Sequence, residues 1–275
     1  MDLPQEETIV DPDARSVDEL VSAVLSEPDE DRAWDLIWIL RYRGTLEVFE
    51  RASGLCRSFC PVERRLGADI LGQLGVPDRS HPKSCLDILL GMLEDERDEG
   101  VLNSILIALS HLNDPEAVEP AARFRHHDDS EVRYGVVHTM MGHEHPLAVE
   151  TLIGLTVDSN AEVRDWACFA LGTQIELDTP DLRDALVERL GDENDNARCE
   201  SMVGLARRGD RRVIPSLQGA LQSKLVCSLE IEAAALIANS QLYPELVALR
   251  VWWDVDEELL ERAILACSPT HEGNI

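Results

Sequence analysis

Seven segments of this chain repeat one pattern, and their spacing constrains the fold more than any composition figure does. The clearest copy, residues 159–172, reads SNAEVRDWACFALG: Val163 and Arg164, an Ala-rich stripe, then Leu171-Gly172. The same frame fits EVRYGVVHTMM from Val132 and NARCESMVGLA from Ala197, and more loosely the segments from Asp31, Glu63, Val101 and Leu229. Successive anchors at 31, 63, 101, 132, 163, 197 and 229 lie 31 to 38 residues apart. A period in that range marks a solenoid, in which each repeat buries its apolar face only by stacking on its neighbours. Composition agrees. Apolar residues make up 44% of the chain but aromatic ones only 4%, and Val/Ile/Thr/Tyr alternation of the kind strands need is scarce.

Each repeat divides into two helices. Ser159 and Glu162 have the spacing of a capping box for the first helix, and Ser16 and Glu19 form another at the start of the array. Thr179-Pro180 opens a second helix with a cap and a Pro at its first position, and Asn113-Asp114-Pro115 does the same for PEAVEPAARF. PLAVETLIGL, PDLRDALVERL and RRVIPSLQGAL occupy the corresponding place in their repeats, each with an apolar stripe at helical spacing. Gly67, Ala68, Ala108, Ala167 and Ala170 let neighbouring first helices approach, while Leu71, Leu109 and Leu171 fill the core. The recurrent Arg32, Arg64, Arg133, Arg164 and Arg198 are expected to reach acidic residues of the adjacent repeat and form an inter-repeat ladder.

These residues, EVR…A…ALG followed by a helix of the form PEAVEP, resemble HEAT repeats over roughly residues 31–240. The nearest variety is the short type of phycobilisome lyases and many bacterial proteins. The resemblance implies an all-α fold, a right-handed α-solenoid of about seven HEAT-like helical pairs, with first helices on the convex side and second helices lining a concave face. Residues 16–267 are expected to form that single solenoid, with capping helices at 16–28 and 255–267. Residues 1–15 and 268–275 are expected to be disordered tails.

The chain carries 53 acidic and 25 basic residues, a formal net charge of −28. Such a surface repels a phosphate backbone and anionic lipid, and favours a protein partner with a basic surface. No apolar run is long enough to span a bilayer. Seven scattered cysteines, 56, 60, 85, 168, 199, 227 and 267, fit a reduced, cytoplasmic setting.

Catalytic chemistry finds little support. Histidines cluster from His111 to His145, but the His-Glu pairs by which the HEAT-repeat deoxyhypusine hydroxylases hold iron correspond here to Arg64, Arg133, Arg164 and Arg198. The one pair inside the array, His143-Glu144, falls in a turn, so these histidines read as turn residues. Cys56 and Cys60 read as small buried hydrophobes. Phosphate loops, dinucleotide fingerprints and nucleophile elbows are all missing. No catalytic residue, metal or cofactor is expected.

The second helices place Glu119, Glu150 and Asp184 at one equivalent position, an acidic row extended by Glu116, Glu188 and the GDENDN loop with Asp192, Glu193 and Asp195. Trp252 and Trp253 near the end are candidate aromatic anchors for a partner. The sequence therefore reads as a non-catalytic scaffold, most concretely an acidic immunity-type inhibitor of bacterial kind that wraps a toxin domain on its concave face. A general assembly scaffold is the alternative, and a HEAT-like enzyme such as a bilin lyase a more distant one.

Overall fold

The structure, a computed structural model, describes residues 13–269. Most of the two tail segments, residues 1–12 and 270–275, lies outside the described residues. The fold is all-α, an α-solenoid, with no strand among the described residues. The chain divides between Pro120 and Ala121 into two compact units.

The first unit contains α1 (Val17–Ser26), α2 (Glu30–Arg43), α3 (Leu46–Leu55), α4 (Pro61–Gly72), α5 (Pro82–Asp95) and α6 (Glu99–Leu112). First helices α2, α4 and α6 pack in sequence as one layer, and α1 and α3 pack against each other in a second. At α1 the expected capping box is present: the Ser16 hydroxyl accepts from the Glu19 amide at 3.3 Å, and the Glu19 carboxylate accepts from the Ser16 amide at 2.7 Å. Asn113, at φ 51°, closes α6. Asp114 then caps a 3-10 turn, Pro115–Ala117, before the short α7 (Val118–Ala122). The expected PEAVEPAARF helix is thus a 3-10 turn plus one α-helical turn, and the division of the chain falls within it.

The second unit contains α8 (Ser130–Met140), α9 (Pro146–Leu155), α10 (Ala161–Phe169), α11 (Pro180–Arg189), α12 (Asp195–Arg207), α13 (Ile214–Leu221), α14 (Ser228–Ile237), α15 (Tyr243–Leu249) and α16 (Glu257–Ala266). Helices α8, α10, α12, α14 and α16 pack successively as the first-helix layer, while α9 meets α11 and α13 meets α15 in the other. Counting α2–α3 through α14–α15 gives seven helical pairs among the described residues, with α1 and α16 outside them.

The repeated Leu-Gly has a packing cause. A Cβ built on Gly204 would lie 2.6 Å from the Gly172 Cα, and one built on Gly72 would lie 2.7 Å from Ala108. Backbones of successive first helices touch at these points, leaving no room for a methyl group. Leu71, Leu109 and Leu171 beside them are fully buried, each contributing about 1.5–3 kcal/mol relative to exposure.

One cap differs from expectation. At α10 the N-cap is Asn160, whose Oδ1 accepts from the Glu162 and Val163 amides at 2.8 and 3.2 Å. Ser159 does not form the box with Glu162, because Asn160 already holds the first free amides. At the other end, α10 does not stop at Gly172 but runs on as a π turn, Ala170–Gln174. Arg208 gathers carbonyls in and just after this turn, donating to Leu171, Gly172, Ile175 and Leu177, and to Gly204 of its own α12, at 2.6–3.4 Å.

Candidate functional site

The arginine ladder follows a rule of position. Arg64, Arg133, Arg164 and Arg198 each stand four residues after the N-cap of their helix, at Cys60, Asp129, Asn160 and Asn194. From there Nη1 turns back to carbonyls of the helix's own leading loop: Ser58 and Phe59, His127 and Asp128, Asp158 and Ser159, or Asp192. In three of the four the Nε and Nη2 edge grips a carboxylate of a following repeat with two bonds. Arg64 holds Glu96 at 2.7 and 2.9 Å, Arg133 holds Asp158 at 2.6 and 2.7 Å, and Arg164 holds Asp192 at 2.9 and 2.9 Å. Each acid lies two residues before the next N-cap and accepts that cap's amide at 2.8–2.9 Å. Although burial pushes against ionisation of Glu96 and Asp158, hydrogen bonds from arginine and backbone outweigh it and lower both carboxyls. Arg164, first among the causes, holds Asp192 at about 2.

Two expected rungs are not built. Arg32 stands three residues after its N-cap Asp29, not four, and is exposed with no ion pair among the described residues. One residue rotates a side chain by about 100° around a helix, and the position two before the next N-cap is Ser58. Arg198 is in register, but the residue two before its next N-cap, Cys227, is Leu225; Arg198 bonds its own-helix Asp195 at 2.6 Å.

The acidic set divides by environment. Asp192 is buried and belongs to the ladder, which removes it from the expected binding surface. Glu119, Glu150, Asp184, Glu188, Glu193, Asp195 and Glu116 are exposed. Of these, Glu116 pairs with Lys83 at 2.8 Å, Asp184 with Arg212 at 2.6 Å, Asp195 with Arg198 at 2.6 Å and Glu188 with Arg189 at 3.8 Å. In the second unit the adjacent α9 and α11 carry Glu150, Asp184 and Glu188, and the loop after α11 carries Glu193. The histidines are not all turn residues as expected, for His111 lies in α6 and His138 in α8, while His127 and His145 each accept a backbone amide on Nδ1. His138 lies between Tyr134 and Trp166, where burial lowers its pKa.

At the far end of the second unit a cleft of about 430 Å³ opens between α12, α14 and the loop before α16, lined among others by Arg198, Lys224, Leu225, Glu230, Trp252 and Val255. The two tryptophans separate here. Trp253 is buried and donates its indole N–H to the Val226 carbonyl at 2.8 Å, so it anchors the loop rather than a partner. Trp252 is about half exposed, near Leu225 and Val255, which are 87% and 70% exposed. Two cysteines that local spacing does not connect, Cys199 and Cys227, meet at the cleft with their sulfurs 3.3 Å apart. Cys56 is buried as expected, whereas Cys60 is the exposed N-cap of α4.

The helical-pair geometry is that of a known repeat class. The sequence profile of HEAT repeats matches residues 86–172 and 148–238, together more than half of the chain, and the chain belongs to the HEAT-repeat family. It is similar to protein YibA of Escherichia coli K12, with 28% identity over 232 residues, 82% of each protein. A crystal structure of E. coli YibA superposes with a TM-score of 0.78 at 26% identity, covering 92% of each chain. Importin beta shares the fold at 10% identity and a TM-score of 0.55, over 94% of this chain and 42% of its own. HEAT-repeat folds commonly mediate protein–protein interaction. No helix of the described residues is long and apolar enough to cross a membrane.

Proposed function

We propose that this protein is a non-catalytic binding scaffold, most concretely an acidic inhibitor of immunity type that captures and blocks a bacterial toxin domain bearing a basic surface. We read its short repeats as of the phycobilisome-lyase type in their grammar alone, and its setting as the cytoplasm.

The observation that carries the reading is where the excess negative charge sits. The charge of −28 is not spent only on structure: after the ladder takes Glu96, Asp158 and Asp192, the carboxylates of Glu150 and Glu193 remain exposed on a second helix and a loop, beside the exposed but arginine-paired Asp184 and Glu188. A basic toxin surface, evolved to hold an anionic substrate, is complementary to such a patch. Charges of this kind act chiefly by steering encounter. Trp252, half exposed beside Leu225 and Val255, supplies an apolar contact of the type that concentrates binding energy.

Affinity capture from the native cell, followed by mass spectrometry, tests the reading. A single stoichiometric partner with a basic surface, whose toxic activity is lost in the complex, is the expected result. Reversing Glu150, Glu188 and Glu193 to Lys together is expected to slow association at least about tenfold at low salt, with the difference shrinking as salt is raised. Several weak partners with no inhibited activity would favour a general assembly scaffold. Unchanged association by the triple variant would remove the acidic patch from the mechanism.

A further inference from the structure

The ladder ends at Arg198, and its interruption leaves a different set of groups together. Leu225 stands where the next acid would be, and the N-cap position holds Cys227 in place of the Asn or Asp at most other first helices. The amide of Cys227, which in the other rungs would bond the missing acid, donates instead to Glu230 Oε2 at 2.8 Å. That bond fixes the carboxylate so that Oε1 lies 3.9 Å from Cys199 Sγ. Cys199 Sγ in turn lies 3.3 Å from Cys227 Sγ, and the three donor atoms all fall within 4.8 Å of one another.

We propose that Cys199, Cys227 and Glu230 form a binding site for a thiophilic divalent cation of the zinc class, held by two thiolates and one carboxylate with a fourth position open to the cleft. A tetrahedral zinc ion with its usual bond lengths sets its sulfurs about 3.8 Å apart and each sulfur about 3.5 Å from a carboxylate oxygen. The observed 3.3 and 3.9 Å differ from these by no more than about half an ångström, and the Cys227 sulfur lies within 4.8 Å of the carboxylate, so side-chain rotations of the exposed Cys227 close the set.

The three donors come from two successive first helices, and their setting favours a cation over a simple disulfide. Glu230 is buried at 6% exposure yet presents one oxygen to the sulfurs. A disulfide makes no use of that oxygen. A carboxylate beside two sulfurs opposes their joint ionisation, and a divalent cation reverses that opposition. Arg198, on the cleft wall, offsets part of the negative charge left by a dication bound to three anions. Cys227 is exposed, giving the ion an entry path.

The test uses the untagged full-length protein, reduced and stripped with a chelator under anaerobic conditions. On adding Zn²⁺, one equivalent is expected to be retained through dialysis, and two thiols are expected to be lost to a thiol reagent. Co²⁺ in its place should give the charge-transfer absorption of two thiolates, a readout of the wild-type protein that needs no variant. Cys199→Ser with Cys227→Ser should abolish retention, Glu230→Gln should weaken it at least about tenfold, and Cys60→Ser should leave it unchanged. Three results would overturn the proposal: no retained zinc, retention unaltered in the double Ser variant, or a Cys199–Cys227 disulfide forming in air while the reduced protein takes up no metal. None of these bears on toxin capture, so the two readings fail separately.

Discussion

Asp192→Asn separates structural from surface charge most sharply. The side chains of Arg164 and Asp192 are 15% and 3% exposed and joined by two bonds of 2.9 Å. Arg164 holds this carboxyl at about 2, against an ordinary value of 3.8. That difference is worth about 2 kcal/mol of folding free energy at neutral pH. The cost of removing the charge should stay near that figure rather than the roughly 3–5 kcal/mol of a fully stranded buried ion, because Arg164 keeps the Asp158 and Ser159 carbonyls through Nη1. The sign follows from the lowered pKa: the contribution is complete above the ordinary carboxylate range and disappears as pH falls through about 4 toward 2. Urea unfolding of wild type and Asp192→Asn at pH 7 should therefore differ by about 2 kcal/mol, and at pH 2.5 by about 0.8 kcal/mol. In a double-mutant cycle with Arg164→Ala the pair should show a coupling of about 1–2 kcal/mol. A loss at pH 7 below about 0.5 kcal/mol, or one that persists undiminished in acid, would refute the assignment of Asp192 to the ladder.

Two further perturbations address the packing. Gly204→Ala places a methyl group 2.6 Å from the Gly172 Cα; although Ala favours a helix by up to about 1 kcal/mol, overpacking should win and lower stability by about 1–3 kcal/mol in thermal or urea unfolding. Arg208→Ala leaves the Leu171, Ile175 and Leu177 carbonyls without their guanidinium donor, and a loss of about 2–4 kcal/mol is expected, with amide exchange accelerating first over residues 170–177.

The fold was legible because three separate signals repeat together: a cap, a stripe of small and large apolar residues, and a Leu-Gly contact point. The ladder was legible only in its arginines. Their acids lie 25 to 32 residues on, a spacing that changes with the intervening second helix. What stays constant is their place two residues before an N-cap, which becomes visible only when the caps are known. For the same reason GDENDN offers Asp192, Glu193 and Asp195 as equals, whereas the fold buries the first and exposes the others. Arg32 passes a count of recurrent arginines and fails the count from its cap by one residue. Cys199 and Cys227 are 28 residues apart, the same interval as Arg164 and Asp192; a search for cysteines one helical turn apart passes over them. Arg208 leaves no trace in the repeat pattern, since the π turn whose carbonyls it holds occurs in one first helix and is not repeated in the others among the described residues.

Each ladder arginine fastens two loops with one head group, its own through Nη1 and the next through the opposite edge. A segment running from one such loop to the next therefore carries a matching plug and socket. Duplicating such a whole segment would lengthen the array with its fastenings intact, while inserting half of one would leave a guanidinium facing the wrong residue. Arg198, opposite Leu225, shows what a mismatched joint looks like: where the fastening is missing, two sulfurs and a carboxylate stand together instead.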